Sequence, residues 1–278
     1  MTFKDKTVVF DSPKIMGILN VTPDSFSDGG QFNELDAALR HTQNMLEHGA
    51  TFIDVGGEST RPGATPVSLS QELDRVIPVI AAIASRFDVI ISIDTSKAEV
   101  MKEAVSNGAG LINDVRALRE PNALQTAAEL AIKHNIPSCI MHMQGKPETM
   151  QIAPKYDSVV DTITGFFSEQ IARLTDAGFH YKQIMLDPGF GFGKTLDHNF
   201  EMLKHFVHFT QFDLPVLAGL SRKSMIGKLL SREVNDRLAG DITVNTIAAL
   251  AGASVLRVHD VKEAMDVAQI IRKLNQIN

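Results

Sequence analysis

Several short apolar runs in this 278-residue chain end on a polar residue able to do chemistry. Asn20 closes IMGILN, Asp94 closes VIISID, Asn113 and Asp114 close GLIND, and Asp187 closes QIMLD. Asp54 lies inside FIDVG, PVLAGL runs into Ser221-Arg222-Lys223-Ser224, and SVLRVH carries Arg257 and His259. One such carboxylate is commonly a helix cap, but a whole set delivered to one rim would be costly without ligands or mutual pairing. Arg257 and His259 are two apart on a strand and share a side, so with Lys223 they offer cations and donors suited to a diphosphate. Asn20 would add an oxygen ligand to a magnesium ion held mainly by phosphate and water. Asp94, Asn113 and Asp187 supply acceptors and an amide that match a flat heterocycle with adjacent ring N–H and amino groups. The competing reading is a structural ion-pair network among Asp94, Asp187, Lys223 and Arg257.

The elements that must position these residues alternate regularly. Strands are predicted over Ile15–Asn20, Phe52–Gly56, Val89–Asp94, Gly110–Asp114, Ile136–His142, Gln183–Asp187, Pro215–Leu220 and Ser254–His259. They lack clean polar alternation, as strands buried on both faces do. Between them the period becomes helical: Leu35, Ala38, Leu39, Thr42, Met45 and Leu46 share a face, with Gly49 suited to the helix end. Leu69, Leu73, Val76, Ile77 and Ile80 form a second stripe, which Pro78 should bend or restart. A third runs from Val159 through Ile163, Phe166, Phe167 and Ile171 to Leu174, and the last carries Ala264, Val267, Ala268, Ile271 and Leu274. Eight such units predict an α/β fold of the closed (β/α)8 barrel type, whose active sites lie at the C-terminal ends of the strands. No dinucleotide fingerprint follows the first strand, and no Pro/Gly/Ser-rich linker divides the chain, so residues 1–278 read as one domain with its core over roughly 15–275.

Three loops after strands stand out. NVTPDSFSDGG follows the first strand, GGESTRPGATPV the second and DPGFGFGKT the sixth, each placing glycines where backbone must turn tightly or approach a ligand. FGFGKT lacks the spacing of a nucleotide phosphate loop.

Composition narrows the partners to small molecules. The net charge of −6, with 33 acidic and 27 basic residues interspersed, argues against nucleic acid. No run is apolar enough for a membrane span and the N-terminus has no cleavable apolar core, so a cytoplasmic location is expected. Cys139, the single cysteine, sits in an apolar run and reads as a small buried hydrophobe; neither it nor His142 is assigned chemistry.

GILNVTPDSFSDGG, GATFIDVGGESTRPG, SIDTSKAEV, INDV, MHMQG, LDPGFGFGKT, GLSRKSMIG and RVHDV together resemble the dihydropteroate synthases, the folate-pathway transferases that sulfonamides target. The resemblance spans the chain from first strand to last. It implies a TIM barrel that condenses 6-hydroxymethyl-7,8-dihydropterin diphosphate with 4-aminobenzoate, releasing diphosphate. Carried over by motif, Asp94, Asn113, Met141, Asp187, Lys223 and Arg257 would bind the pterin. Asn20, Arg257 and His259 would hold the diphosphate, with magnesium at Asn20. Phe26, Thr60, Arg61, Pro62, Phe192, Lys223 and Ser224 would form the aminobenzoate slot, and sulfonamides would compete there. Asp94, Asp28, Lys223, Arg257 and His259 would carry the catalytic step, with NVTPDSFSDGG acting as a lid that presents Phe26 and Asp28. A homodimer through barrel helices is implied as well. Two alternatives compete: a methyltetrahydrofolate-dependent methyltransferase barrel, which needs neither STRPG nor the cationic set, and a non-catalytic pterin-binding protein, which need not retain Lys223, Arg257 and His259.

Overall fold

The computed structural model describes residues 1–22, 30–59, 66–145, 150 and 153–277. Among these, eight parallel strands make up the main sheet: β1 (Lys14–Asn20), β2 (Phe52–Gly56), β3 (Ile90–Asp94), β4 (Leu111–Asp114), β5 (Ser138–Met141), β6 (Ile184–Asp187), β7 (Leu217–Ala218) and β8 (Val255–Val258). Their order is β6-β5-β4-β3-β2-β1-β8-β7, and a parallel bridge between Leu186 and Val216 joins the two ends. The sheet therefore closes on itself, and the (β/α)8 barrel expected from the alternation is the fold observed. Of the predicted strands β2 is unchanged, β1 gains Lys14 and the rest are shorter by one to four residues, most of all β7, which pairs regularly only over Leu217–Ala218 between Pro215 and Gly219.

Helices α1 (Gly30–Glu47), α2 (Leu69–Arg86), α3 (Ala98–Ser106), α4 (Ala123–His134), α5 (Val159–Asp176), α6 (Leu196–Lys204), α7 (Ser224–Leu230), α8 (Leu238–Leu250) and α9 (Val261–Leu274) follow the strands in turn. The apolar stripes pack as their period requires: Ala38, Leu39 and Met45 of α1, Ile163, Phe167 and Leu174 of α5, and Ala264, Val267 and Ile271 of α9 are buried. A fully buried phenylalanine such as Phe167 contributes about 2–3 kcal/mol over an exposed one. The ends of two stripes do not join the core, since Leu69 and Leu274 are exposed.

Pro78 neither ends nor restarts α2, which runs unbroken from Leu69 to Arg86. Its ring removes one intrahelical N–H bond, but Val76, Val79, Ile80 and Ile83 on either side are buried and hold both halves to the barrel. A capping box between Ser68 and Gln71 fixes where this helix starts.

At the N-terminal end of the barrel, a hairpin of Thr2–Phe3 and Lys6–Thr7 acts as a plug. Phe3 meets Phe52 edge-on at 5.1 Å and packs with Met16, Leu111, Cys139, Met185, Leu217 and Val255, all buried. Cys139 is thus the small core residue expected, and burial pushes its thiol well above the ordinary range. With one end filled by apolar side chains, the opposite end is left for chemistry. No helix of the described residues is long and apolar enough to cross a membrane.

Candidate active site

Strand register explains why residues distant in sequence meet at the mouth. Asn20 pairs with Gly56, Gly56 with Asp94, and Asp94 with Asn113, so one row crosses β1 to β4. Met141 and Asp187 are partners across β5 and β6. A Cβ at Gly56 would lie 3.8 Å from an Asp94 carboxylate oxygen and 3.9 Å from the Asn20 amide oxygen, which places these two side chains around the same glycine.

All six residues expected to bind the heterocycle, Asp94, Asn113, Met141, Asp187, Lys223 and Arg257, line one cleft. Val115, Gly189, Phe190, Phe192 and Gly219 complete it. The cleft combines apolar walls with a few converging polar groups, the usual constitution of a small-molecule site.

Arg257 is the electrostatic centre. Its Nε donates to Asp54 Oδ2 at 2.7 Å and its Nη2 to Asp94 Oδ2 at 2.9 Å. Asn113 Nδ2 donates to the same Asp54 Oδ2 at 3.2 Å. Burial works against the Arg257 charge, but Asp54 and Asp94 override it and hold the guanidinium above its usual range. Burial pushes Asp94 the other way, up to about 7, against the pull of Arg257. Two carboxylates thus share one guanidinium, and Asp94 is the member left only partly compensated.

Asp187 accepts the Gly189 amide at 2.7 Å, and burial raises its carboxyl above the ordinary range. Lys223 is half-buried, with its ammonium 4.2 Å from the centre of the Phe192 ring. Burial, reinforced by Arg257, lowers its amine to about 8. Among the described residues the ion pairs formed in the mouth are Arg257 with Asp54 and with Asp94, and Asp187 and Lys223 do not join them by direct pairing.

The remaining expected residues flank this cleft. Asn20 is exposed at the end of β1, and Ser224 is exposed at the start of α7 beside Lys223. His259 lies one residue beyond β8, half-buried, with its Nδ1 3.0 Å from the Ser221 hydroxyl. Phe26, Asp28, Thr60, Arg61 and Pro62 lie outside the described residues.

Three residues matter more than the sequence suggested. Asp54 is visible as a carboxylate inside an apolar strand, yet its pairing with Arg257, 203 positions away, emerges only from barrel closure. Lys194, buried, donates to the carbonyls of Gly189 (2.8 Å), Phe192 (3.0 Å) and His142 (3.2 Å) and contacts His142 Nδ1 at 3.1 Å. It stitches the DPGFGFGKT loop to β5 and so sets the position of Phe192. Burial lowers Lys194 to about 7, and burial together with Lys194 lowers His142 to about 3, leaving the imidazole a neutral neighbour in the wall. Gly189 has φ of +72°, and a Cβ there would fall 2.0 Å from the His142 carbonyl oxygen. That glycine is the one signal in the sequence that marked this close approach.

Asp114 does not join the mouth. Its carboxylate accepts the Ser96 hydroxyl and the amides of Arg116 and Leu118, which makes it a turn-forming group. A neighbouring cleft is larger, but its Lys97, Glu58, Glu72, Arg116 and Glu120 are engaged in ion pairs with one another. The chemistry-bearing groups converge instead on the smaller cleft over the barrel axis.

Known proteins share both the sequence and this architecture. Residues 16–259 match the family described as pterin binding enzyme. The dihydropteroate synthase of Escherichia coli strain K12 is 55% identical over 259 residues, covering 93% of this chain and 90% of that protein. A Yersinia pestis dihydropteroate synthase structure with a sulfonamide drug complex superposes with a TM-score of 0.94 at 50% identity, covering 100% of this chain and 99% of that one. The Xanthomonas albilineans dihydropteroate synthase in complex with 7,8-dihydropteroate superposes with a TM-score of 0.87 at 42% identity, covering 98% and 97%. The chain belongs to the pterin-binding enzyme family and, within it, to the dihydropteroate synthases.

Proposed function

We propose that this protein condenses 6-hydroxymethyl-7,8-dihydropterin diphosphate with 4-aminobenzoate to give 7,8-dihydropteroate and diphosphate. The observation that carries the reading is the single cleft in which Asp94, Asn113, Asp187, Lys223 and Arg257 converge between Met141 and Phe190. Asp94 and Asp187 are acceptors for the amino and ring N–H groups of a pterin, while Asn113 supplies an amide that can both donate and accept. The Xanthomonas complex with dihydropteroate and the Yersinia complex with a sulfonamide support the same ligand class, with sulfonamides competing for the aminobenzoate position.

The chemistry asked of the protein is mostly positioning and charge. The C–O bond at the pterin methylene breaks early, because the electron-rich ring stabilises the developing cation. Arg257 and His259 neutralise the departing diphosphate, and the Asp94 carboxylate faces the positive charge left behind. The aniline nitrogen of 4-aminobenzoate, held near Phe192, Lys223 and Ser224, then attacks the methylene and loses a proton. No covalent enzyme intermediate is required. Among the described residues, no group of three or more His, Cys, Asp or Glu could hold a metal. Asn20, exposed at the end of β1 with its amide oxygen beside Gly56, offers one oxygen ligand to a magnesium ion bound mainly through diphosphate and water, which would add charge neutralisation at the leaving group.

A homodimer in the cytoplasm completes the reading. Leu238, Ile242, Ile247 and Leu250 of α8 are exposed, as are Leu229 and Leu230 of the adjoining α7. A helix apolar on its outward face as well as its inward one has a second surface to cover, and an isologous contact between copies would do so.

The test is product formation from the two substrates, with and without magnesium, following dihydropteroate and released diphosphate together. Equal amounts of both are expected. Tight pterin binding with no diphosphate release would favour the methyl-transfer or non-catalytic alternatives, which the synthase identity of the 55% relative argues against.

A further inference from the structure

Behind the proposed diphosphate end of the site lies a buried chain of hydrogen bonds that starts on a helix. The Ser221 hydroxyl is 3.0 Å from His259 Nδ1 and 3.3 Å from Asp241 Oδ2, and it accepts the His259 amide at 3.3 Å. Asp241, in the first turn of α8, is 3% exposed and Ser221 is 6% exposed. The Asp241 carboxylate also accepts the Arg222 amide, at 3.0 Å to each oxygen. Arg222 has φ of +57° and pairs with Asp260 at 2.8 Å, and its carbonyl accepts Arg237 Nη1 at 2.8 Å. The turn carrying Ser221 is thereby clamped from α8 and from the residue that follows His259.

The single Ser221 proton can go to His259 Nδ1 at 3.0 Å or to Asp241 Oδ2 at 3.3 Å, and the buried carboxylate, which only accepts, draws it to Asp241. The serine oxygen then presents a lone pair to His259, and Nδ1 must carry a proton to meet it. A histidine that also donates through Nε2 to a diphosphate is then protonated on both nitrogens and bears a positive charge. Charges nearby include the Arg222–Asp260 pair, Arg237 on the Arg222 carbonyl, Glu263 of α9, and Arg257 two residues before on β8.

We propose that Asp241 is a positioning residue that acts through Ser221 to fix the proton on His259 Nδ1 and so present a cationic imidazole to the diphosphate. The inference rests on the reading of His259 as a diphosphate ligand. In Asp241→Asn the amide oxygen still accepts the Arg222 amide, but its NH2 now faces Ser221. The serine must then rotate and donate to Nδ1, leaving His259 neutral.

The experiment measures inorganic diphosphate affinity by calorimetry in the presence of magnesium, with ring 15N spectra of His259 at one fixed pH. It compares the full-length wild type with D241N, S221A and H259Q. Expected are a protonated Nδ1 in the wild type, its loss in D241N and about tenfold weaker diphosphate binding in both D241N and S221A, the difference between a charged and a neutral hydrogen bond. The KM for 4-aminobenzoate should stay within about twofold, whereas a collapse of the 221–224 turn would raise it through Lys223 and Ser224. S221A keeps the test intact if D241N folds poorly. Weak diphosphate binding in H259Q with wild-type binding in D241N and S221A overturns the relay alone. Wild-type binding in H259Q overturns the diphosphate role of His259 itself.

Discussion

Asp94→Asn should make the unliganded protein more stable while impairing its reaction. In the wild type, burial pushes Asp94 from an ordinary 3.8 up to about 7, and the side chain is 11% exposed. Between those two values the unfolded chain has released this proton and the folded chain has kept it, so stability falls as pH rises. The slope approaches about 1.4 kcal/mol per pH unit, and the full loss, reached above pH 7, is about 4 kcal/mol. An asparagine is isosteric and neutral, its amide oxygen can still accept Arg257 Nη2, and Arg257 keeps Asp54 at 2.7 Å. The variant should therefore exceed the wild type by about 1–2 kcal/mol at pH 5 and about 4 kcal/mol at pH 8. For a chain of this size that is a rise in Tm of roughly 3 °C and roughly 7 °C, respectively. Thermal unfolding of both proteins without ligand, followed by circular dichroism at the two pH values, reads the difference directly. A gap that is absent, or equal at both pH values, would refute the reasoning and show that Arg257 keeps Asp94 ionised throughout. Pterin affinity should move oppositely, since the variant offers one acceptor in place of a carboxylate.

Lys223→Ala removes both the cation over Phe192 and the charge facing Asp187, and kcat/KM should fall about thirtyfold to a hundredfold in steady-state assays. Unchanged kinetics would remove Lys223 from the site. Arg257→Lys cannot serve Asp54 and Asp94 at once, so about 1–3 kcal/mol of stability should be lost in denaturant titration, along with most turnover. Gly189→Ala places a methyl group on the His142 carbonyl in a left-handed backbone, and a drop of several kcal/mol, or failure to accumulate as soluble protein, is expected on expression and melting. A variant that melts like the wild type would mean the β6 loop relaxes freely.

Much of this architecture was legible because local chemistry and global fold agree in a barrel. Each strand is a short apolar run, and Asn20, Asp94, Asn113 and Asp187 mark the ends at which the mouth must lie. The α1 and α5 stripes follow from a period of 3.6, with Gly49 suited to the end of the first. What resisted reading is whatever depends on register. Nothing local to Asp54 says that it faces Arg257 rather than a helix terminus, and nothing local to Asp241 points across to Ser221. Pro78 fails to restart its helix for the converse reason, because tertiary packing of Val76 and Ile80 outweighs a local helix breaker. Lys194 looked like part of a weak phosphate-loop pattern, and only its burial among carbonyls shows a strut.

The seam between β1 and β8 carries a temporal consequence. Met16 of the first strand pairs with Arg257 of the last, and the proposed diphosphate end joins Asn20 to His259. A ribosome that has made β1 needs roughly ten to fifty seconds more to deliver β8 at ordinary elongation rates. Throughout that interval β1 lacks the neighbour on one of its edges, so the nascent chain presents an open strand to chaperones and to other nascent chains. Arg257 is also missing until then, which leaves Asp54 and Asp94 facing each other without their shared cation. Half-made chains are therefore expected to be both sticky and chemically inert, with capture of the metabolite postponed until the final strand closes the ring.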